Sequence, residues 1–289
     1  MKLMQAILPV AGLGTRFLPW TKVVPKELLP IGNQPIIALL VDECLSVGIR
    51  DICFVINRGK EMIPQYFYDM PALERELEKR GKLHMLQELS RYHNVNFHVV
   101  YQDRLLGDGH ALLQAKSWVT TENVAILFGD DLIAGKENGL QQLVNGLEQL
   151  KNPRETAMLC LQEVERSLIS KYGIVDIDSA WQKSAPHDRL RKIKTLVEKP
   201  KPEDAPSNLG IVGKYIVPKS VFELLQKIEG GNHGSSPRSG AGLTTGSEIR
   251  LIDALIKRNG LQVYGYIFDG TRFDTGTPEG YKEAVRVLG

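Results

Sequence analysis

Cysteine is scarce in this sequence, and its distribution argues against both structural zinc sites and disulfide frameworks. The 289 residues include only 3 cysteines, Cys44, Cys53 and Cys160. Their spacing fits no zinc motif, and an odd number is unusual for a disulfide framework. Cys53 and Cys160 lie inside apolar, strand-like segments, which favours buried thiols. The simplest expectation is a protein of a reducing compartment.

An excess of one charge and a long apolar run are also lacking. The chain carries 36 basic and 34 acidic residues, a formal net charge of +2, which gives no reason to expect a nucleic-acid or membrane partner. No apolar run reaches the ~18–20 residues that a membrane-spanning helix needs, and the chain starts with a strand-like segment rather than a signal peptide. We therefore expect a cytoplasmic protein in which any cation-rich binding site is confined to one part of the molecule.

Two glycines and several cations follow the first apolar segment. Residues 6–10 form a continuous apolar run that predicts a buried strand, and AGLGTR at 11–16 follows directly. Glycines after a strand let backbone N–H groups approach an anion, and a following helix N-terminus adds a favourable dipole. Arg16, Lys22 and Lys26 come within the next turns. This combination indicates a binding site for a nucleoside triphosphate.

The glycine loop matches neither of two common phosphate-binding motifs. No G-x-x-x-x-G-K-[ST] is present, and G-x-G-x-x-G would require glycine where the chain has Phe17. However, GLGTRFLP at 12–19, followed by Lys22 and by PKELLP at 25–30, resembles the signature of the sugar nucleotidylyltransferases. The spelling PKELLP is most similar to the bacterial UTP–glucose-1-phosphate uridylyltransferases within that family. A glycine-rich turn with surface lysines is the alternative for the glycines alone.

Alternating strand-like and helix-like patterns predict an α/β fold. Continuous apolar runs occupy 52–56, 96–101 and 124–128, and helical patterns occupy 35–47, 61–89 and 111–118. We expect the pattern at 61–89 to break at Pro71 and near Gly81. Continuous apolar strands fit a parallel sheet that is covered on both faces, with helical crossovers.

The resemblance sharpens this expectation. It implies a Rossmann-like, mixed and mostly parallel sheet flanked by helices, of the nucleotide-diphospho-sugar transferase type. Residues 1–289 would then form a single nucleotidylyltransferase domain, with roughly 220–289 as a sugar-side and C-terminal helical extension. A Gly- and Ser-rich stretch at 230–246 has no apolar period, which leaves a lid, an oligomer contact and a mobile surface loop as alternatives.

The segment QDRLLGDGH at 102–110 follows the third predicted strand, where open parallel sheets bind ligands. The Gln102 side chain offers a donor and an acceptor, which suits the imide edge of a pyrimidine. The segment resembles the family's base-reading Gln-plus-GLGHA stretch, although Asp108 stands where the uridylyltransferases have Leu. For His110 we favour a satisfied helix residue over a ligand. The resemblance implies these nucleotide-binding residues: Ala11, Gly12, Leu13, Gly14, Gln102 and Gly107.

Two aspartates are candidate ligands for Mg²⁺. Asp130 and Asp131 follow the predicted strand at 124–128, and Asp274 precedes the last helical pattern. Carboxylates at strand ends commonly hold a hard cation that also binds phosphates. The resemblance assigns the metal to Asp130 and Asp274. A solvated turn at Asp130 and Asp131 and a helix cap at Asp274 are the alternatives.

Two further segments suit a sugar phosphate. KYG at 171–173 and VEKP at 197–200 are similar to family elements, and the resemblance implies that Gly173 and Glu198 contact the sugar. A carboxylate can accept hydrogen bonds from sugar hydroxyls, and an ammonium can neutralise phosphate oxygens. Lys199 would accordingly hold the phosphate of glucose 1-phosphate. The alternative is that Glu198 and Lys199 form a surface salt bridge.

The implied reaction joins UTP and glucose 1-phosphate to give UDP-glucose and pyrophosphate, by direct in-line displacement with Mg²⁺. Arg16, Lys26 and Lys199 would be the catalytic cations, and no protein nucleophile is needed. By resemblance alone, the chain would form a homo-oligomer, either a dimer or a tetramer.

Two alternatives for the activity remain open. A glucose-1-phosphate thymidylyltransferase that uses dTTP is favoured by GDD at 129–131 and DTGT at 274–277. A non-catalytic regulatory paralogue that binds nucleotide-sugar should have lost a phosphate-handling cation or a metal ligand. Arg16, Lys26, Asp130, Lys199 and Asp274 are all present, which argues against that second alternative.

Overall fold

The computed structural model describes residues 3–182, 189–231, 248–257 and 260–289. Most of the stretch at 230–246, including the part for which a lid or an oligomer contact was considered, lies outside the described residues. The strands are β1 Gln5–Pro9, β2 Pro30–Ile31, β3 Gln34–Pro35, β4 Asp51–Ile56, β5 Asn96–Tyr101, β6 Asn123–Leu127, β7 Asp131–Ala134, β8 Thr156–Glu163, β9 Gly173–Ile177, β10 Leu190–Glu198, β11 Leu209–Pro218, β12 Gln262–Ile267 and β13 Thr271–Asp274. The α-helices are α1 Ile36–Ser46, α2 Met62–Gln65, α3 Pro71–Lys79, α4 Leu83–Leu89, α5 Asp108–Gln114, α6 Gly139–Glu148, α7 Ser179–Gln182, α8 Ser220–Gly231, α9 Leu251–Ile256 and α10 Pro278–Leu288.

Nine strands form the central sheet, in the order β5-β4-β1-β6-β11-β8-β12-β10-β9. β5, β4, β1 and β6 pair in parallel, as do β8 and β12. β11 runs antiparallel between β6 and β8, and β10 runs antiparallel to both of its neighbours. The expected mixed, Rossmann-like sheet is therefore confirmed, but parallel pairs are not the majority, because β10 and β11 run against their neighbours.

The continuous apolar runs have a simple explanation in the packing. Along β1, Ile7 and Leu8 point to opposite faces of the sheet, and both are fully buried. Leu8 belongs to the core shared with α1, whereas Ile7 belongs to the core shared with α5. A strand that is covered on both faces needs apolar residues at every position, which removes the alternation seen in half-exposed strands.

Helical boundaries follow the expected breaks between residues 61 and 89. α3 begins at Pro71, where proline costs nothing because the first helical N–H has no partner within the helix. Gly81 lies between α3 and α4 with φ of 66°, a left-handed conformation that glycine adopts without strain. Helix α5 begins at Asp108, three residues before the predicted start, so the base-side segment is partly helical.

The C-terminal part of the chain contributes more than helices. β12 lies in the interior of the central sheet between β8 and β10. β13 pairs with β7 in a separate two-stranded sheet, in which Asp274 lies opposite Asp131. The segment from 220 onward therefore includes two strands as well as helices. The division of the chain at about residue 220 stays a prediction.

The structure bears on two expectations from the sequence, one about the cysteines and one about membrane-spanning segments. Cys44, Cys53 and Cys160 are all buried free thiols, and burial raises the pKa of Cys53 to about 12. The prediction of buried thiols at Cys53 and Cys160 is thus confirmed. Among the helices of the described ranges, none has the length and apolar character required to cross a bilayer.

Candidate active site

Two adjoining cavities open at the carboxyl ends of β1, β5 and β6. The smaller one has a volume of ≈ 330 Å³ and the larger one ≈ 680 Å³. Asp108, Phe128 and Asp130 line both cavities, so the two spaces meet at these side chains. Ligands bind at this edge in open α/β sheets, because the loops that follow parallel strands converge there.

The smaller cavity collects most of the predicted nucleotide-binding residues. Its walls include Ala11, Gly12, Lys26, Gln102 and Gly107. Leu13 and Gly14 line neither cavity as described. Gly14 instead adopts φ of 65° and accepts a hydrogen bond on its carbonyl oxygen from the Thr21 hydroxyl, 2.8 Å away. Gly14 thus shapes the turn of the loop.

Gln102 and Gly107 form the base-side wall together. The Gln102 side chain is buried, and its Nε2 donates to the Gly107 carbonyl oxygen at 3.0 Å and contacts His110 Nδ1 at 3.1 Å. A Cβ atom on Gly107 would lie only 2.6 Å from the carbonyl oxygen of Ile249, so this position requires glycine. Burial lowers the pKa of His110, which favours a neutral ring. The interpretation of His110 as a buried, satisfied helix residue is confirmed.

Lys26 and Asp130 form an ion pair where the cavities meet. The Lys26 Nζ lies 2.8 Å from Asp130 Oδ2. Burial acts against the charge of Lys26, but attraction to Asp130 and Glu27 outweighs it, so the pKa of Lys26 is raised. Burial likewise acts against the charge of Asp130, but Lys26, Arg272 and Arg16 outweigh it and lower its pKa. Both partners are therefore charged at neutral pH.

A buried ion pair supports the segment that carries Lys26. Glu27 is only 1% exposed and accepts a hydrogen bond from Lys60 Nζ at 2.8 Å. The same Nζ donates to the carbonyl oxygen of Val10 at 2.8 Å, directly before the glycine loop. Burial lowers the pKa of Lys60, with the charge of Glu27 opposing it. Sequence reasoning missed Lys60. Its one local indication is that it lies in the turn after β4, at the edge of the sheet where ligands bind.

The carboxylates of Asp130 and Asp274 both approach Gly276. A Cβ atom added to Gly276 would be 2.6 Å from Asp130 Oδ2 and 3.0 Å from Asp274 Oδ1. Two carboxylates beside a residue without a side chain fit a small, hard cation that takes its other ligands from phosphates and water. Thr277, not Asp274, is the N-cap of α10, because its side chain accepts from Gly280 N–H at 3.1 Å. Asp274 Oδ1 accepts from Gly276 N–H at 3.0 Å, so the turn of the helix-cap alternative is present but the cap is not.

Asp131 belongs to the wall of the larger cavity. It is buried and accepts hydrogen bonds from the Gly213 N–H, at 2.8 Å, and from the Arg272 guanidinium. Burial raises the pKa of Asp131, with Arg272 acting against that rise. Arg272 also donates to the Tyr172 hydroxyl at 2.8 Å. The alternative that Asp131 is a solvated turn residue is wrong, and sequence reasoning missed Arg272 altogether.

The predicted sugar-side residues lie together in the larger cavity. Glu198, Lys199 and Gly173 all line it, and Lys199 Nζ is 3.4 Å from Glu198 Oε1. A Cβ atom on Gly173 would lie 3.2 Å from Glu198 Oε2 and 2.7 Å from the terminal methyl of Ile252, so any side chain there would displace these groups. The two charges therefore belong to a cavity wall, although Lys199 remains largely exposed.

Lys199 has a strained backbone. Its φ of 46° makes it the one residue other than glycine with positive φ in the described ranges. Its N–H donates to the Tyr172 carbonyl oxygen at 3.1 Å, which fixes this conformation beside the cavity. Such strain costs of order 1–3 kcal/mol and is concentrated at functional sites.

Arg16 and Arg250 add two cations to the larger cavity. Arg16 is exposed, and its Nη1 reaches the Gly276 carbonyl oxygen at 3.4 Å, next to Asp274. Arg250 lies 3.7 Å from Glu198 Oε1 and is held by Asp253 at 2.9 Å; this hydrogen bond raises the pKa of Arg250. Sequence reasoning missed Arg250, since nothing in the helical pattern of that segment points to the cavity.

Comparison with known proteins agrees with this geometry. The family model described as nucleotidyl transferase matches residues 5–288 of the chain. The chain belongs to the nucleotidyl transferase family.

Similar nucleotidyl transferases include well-covered relatives. The UTP–glucose-1-phosphate uridylyltransferase of Bacillus subtilis is 36% identical over 282 residues, which cover 97% of this chain and 89% of the relative. A solved structure described as UTP-bound UGPase from Acinetobacter baumannii has a TM-score of 0.82 at 33% identity and covers 98% of this chain and 92% of its own. A UDP-glucose pyrophosphorylase complexed with UDP-glucose has a TM-score of 0.78 at 30% identity, with 98% and 97% covered.

These matches confirm the resemblance that the glycine loop and PKELLP first indicated. Enzymes of this nucleotidyl transferase family generally use a divalent metal ion, which agrees with the carboxylate pair at Gly276. The roles of the individual site residues stay predictions. The predicted residues that line at least one of the two cavities are Ala11, Gly12, Arg16, Lys26, Gln102, Gly107, Asp130, Gly173, Glu198, Lys199 and Asp274.

Proposed function

We propose that this nucleotidyl transferase moves the uridylyl group of UTP to glucose 1-phosphate, with UDP-glucose and pyrophosphate as products. The observation that carries this proposal is the Lys26–Asp130 pair at the junction of the two cavities. A triphosphate in the smaller cavity and a sugar phosphate in the larger one would meet there. The names of the similar enzymes support the choice of UTP and glucose 1-phosphate.

The smaller cavity would bind the nucleotide. Both N–H groups of Gln102 face internal acceptors, Gly107 and His110. The side-chain oxygen of Gln102 therefore remains to accept a hydrogen bond from the imide N–H of uracil. The backbone from Ala11 to Gly14 would hold the phosphates, because successive N–H groups in a glycine-rich turn form a concave anion site.

The larger cavity would bind glucose 1-phosphate. Glu198 would accept hydrogen bonds from sugar hydroxyls beside Gly173, where the missing side chain allows close approach. Lys199 would hold the phosphate group through its ammonium. Arg250, close to the Glu198 carboxylate, would keep that side chain directed along the cavity wall.

The reaction needs a positioned nucleophile rather than a protein nucleophile. An oxygen of the sugar phosphate attacks the α-phosphorus of UTP and forms a new P–O bond. The bond from that phosphorus to the oxygen that bridges to the β-phosphorus breaks, and pyrophosphate leaves with this oxygen. Lys26 and Arg16 would neutralise the charge that builds up on the phosphate oxygens.

Asp130 and Asp274 would hold a divalent cation, for which we propose Mg²⁺ because both donors are hard carboxylate oxygens. When bound, Mg²⁺ neutralises and orients phosphate oxygens. Lys26 keeps the carboxylate of Asp130 ionised and in place at the junction. A cytoplasmic location and a homo-oligomeric state stay predictions.

A pyrophosphate-release assay tests the proposal. Glucose 1-phosphate is supplied with UTP, dTTP, ATP, CTP or GTP in turn, with Mg²⁺ present and then removed by a chelator. We expect release with UTP above all, and loss of release on chelation. A strong preference for dTTP would overturn the choice of base in favour of the thymidylyl alternative. Tight binding of UDP-glucose by calorimetry without any release would show a non-catalytic paralogue instead.

A further inference from the structure

One guanidinium joins the two sides of the larger cavity. Arg272 lies on β13, shortly before Asp274, and its side chain is only 10% exposed. On one side it donates to the carboxylate of Asp131, the residue after Asp130. On the other side its Nη1 donates to the Tyr172 hydroxyl at 2.8 Å. Neither Arg272 nor Tyr172 has a part in the proposed reaction, although both line the cavity.

The contact with Asp131 holds the guanidinium in place. Both Nε and Nη2 of Arg272 reach Asp131 Oδ1, while Asp131 Oδ2 accepts from the Gly213 N–H at 2.8 Å. Burial acts against the charge of Arg272, but attraction to Asp131 outweighs it and raises the pKa of Arg272. A buried ion pair whose remaining oxygen is also hydrogen-bonded is costly to break. Arg272 is therefore a fixed point in the cavity wall.

The contact with Tyr172 transmits this position to Lys199. The guanidinium carbon of Arg272 lies 5.3 Å from the centre of the Tyr172 ring, so it contacts the ring as well as the hydroxyl. The carbonyl oxygen of Tyr172 accepts from the Lys199 N–H at 3.1 Å. The tyrosine is thus held by Arg272 at its hydroxyl and holds Lys199 at its carbonyl.

Lys199 depends on this hold because its backbone is strained. A φ of 46° is unfavourable for a residue with a side chain, and it persists only where the surroundings impose it. The side chain of Lys199 is 60% exposed and, among the described residues, forms an ion pair only with Glu198, at 3.4 Å. The position of the ammonium is therefore set mainly by the backbone, to which Tyr172 is bonded.

The same contact closes the sugar-side end of a strand pair. Gly173, the residue after Tyr172, lies opposite Glu198, the residue before Lys199, at the end of the β9–β10 ladder. A displacement of Tyr172 would consequently disturb the predicted sugar-phosphate residues. Neither Tyr172 nor Arg272 lines the smaller cavity, so the nucleotide side should be spared.

We propose that Arg272 is a positioning residue that acts through Tyr172 on Lys199 and so places the ammonium against the phosphate of the sugar phosphate. This inference rests on the proposed function, because it takes Lys199 as the group that holds that phosphate. A planar guanidinium has separate N–H groups for the Asp131 carboxylate and the Tyr172 hydroxyl. An ammonium is a single charge on a flexible stem and does not reproduce this fork.

Removal of the Tyr172 hydroxyl provides the first test. Tyr172→Phe keeps the ring and the backbone carbonyl but loses the hydrogen bond from Arg272. We expect kcat/KM for glucose 1-phosphate to fall about tenfold, with KM for UTP unchanged, because a small displacement of a positioned group is costly in rate. A merely structural role would lower stability without separating the two substrates. Wild-type kinetics, or an equal loss for both substrates, overturns the proposal.

Tyr92→Phe is the matched control for this test. It removes a hydroxyl that donates to the carboxylate of Asp42 at 3.2 Å, and Tyr92 lines neither cavity. We expect wild-type kinetics for this variant. Urea unfolding of both phenylalanine variants shows how much stability each hydroxyl contributes, independently of the reaction.

The conservative change at position 272 tests the route through Tyr172. Arg272→Lys keeps a cation beside Asp131 but loses the fork, so its kinetic defect should match that of Tyr172→Phe. The double variant should be no worse than either single variant, because both changes break the same contact. Losses that multiply in the double variant would show that Arg272 does not act through Tyr172, and would overturn the proposal.

The Lys199→Ala background separates positioning from direct contact with substrate. Once the ammonium is absent, Tyr172→Phe has nothing left to misplace, and we expect a further loss of no more than about twofold. A further loss of about tenfold would mean that Tyr172 acts independently of Lys199. That result overturns the positioning role and leaves the proposed function intact. Full activity of Lys199→Ala alone would overturn both.

Discussion

The carboxylate of Asp108 accepts a hydrogen bond from the backbone N–H of Leu251, 2.7 Å away. This contact joins the start of α5, on the nucleotide side, to the first turn of α9, on the sugar side. Arg250, the residue before Leu251, lies 3.7 Å from Glu198. The loop that carries Asp108 and the carboxylate of Glu198 are therefore linked through the start of α9. A leucine at position 108 could not accept the hydrogen bond from Leu251.

Asp108→Leu should consequently impair the sugar side more than the nucleotide side. The change leaves the Leu251 N–H without its acceptor, which costs about 1–3 kcal/mol when the group stays buried. We expect the start of α9 to relieve this cost by shifting, which would move Arg250 relative to Glu198. We expect KM for glucose 1-phosphate to rise about tenfold or more, with a smaller change in KM for UTP. Asp108→Asn keeps an acceptor and serves as the control; equal effects on both KM values would contradict this link.

Asp108 should also make the stability of the protein depend on pH. Burial raises the pKa of Asp108 to about 6, although hydrogen bonds from the Leu251 and Gly109 N–H groups oppose the rise. The folded state therefore binds this proton more tightly than the unfolded state does. The resulting stabilisation is complete below the unfolded pKa of about 4 and is lost as the pH rises through about 6.

Urea unfolding of wild type and Asp108→Asn across this pH range measures the effect. The free energy of unfolding of wild type, relative to the variant, should fall as the pH rises through about 6. The comparison cancels the titration of all groups that the two proteins share. A difference that stays constant with pH would show that Asp108 has an ordinary pKa.

Lys199 should be essential for turnover but not for folding. Loss of one well-placed charged donor at a phosphate site typically costs on the order of 10²–10³ in rate. We expect Lys199→Ala to lose at least this much in pyrophosphate release. Lys201→Ala, which removes an exposed lysine two residues away, is the matched control and should stay near the wild-type rate.

A glycine at position 199 separates backbone strain from chemistry. The φ of 46° is costly for lysine but not for glycine, so Lys199→Gly should be as inactive as Lys199→Ala yet more stable than it. Denaturant unfolding compares the two variants. An active Lys199→Gly enzyme would remove the ammonium from the proposed mechanism.

The sequence predicted those parts of the fold that depend on local pattern. The apolar run at 52–56 lies in the strand Asp51–Ile56, because strands buried on both faces must be apolar throughout. Between residues 61 and 89, Pro71 begins α3 and Gly81 separates it from α4, for equally local reasons. In the site, the glycine loop, Asp130 and Glu198 were identifiable because each follows or ends a strand at the binding edge of the sheet.

The missed residues depend on partners that are distant along the chain. Arg272 binds Asp131, which lies 141 residues away along the chain. This contact follows from the pairing of β13 with β7, which no local sequence pattern predicts. Arg250 reaches Glu198 only because β10 and the start of α9 are brought together in three dimensions. Sheet order is set by packing of the whole chain, so short periodic segments carry little information about it.

The buried Lys60–Glu27 pair beneath the glycine loop should be important for stability. Lys60→Met removes the cation that is 2.8 Å from the carboxylate of Glu27 and leaves that carboxylate buried without its partner. Breaking a buried pair in this way typically costs about 3–5 kcal/mol, whereas breaking an exposed one costs about 0–1 kcal/mol. Arg58→Ala, which breaks the exposed Arg58–Asp103 pair, is the matched control in denaturant unfolding at neutral pH. Lys60→Met combined with Glu27→Gln should recover part of the loss, because no unpaired charge is then buried. A Lys60→Met variant as stable as Arg58→Ala would show that Glu27 finds another cation, for which neighbouring Lys26 is the nearest source.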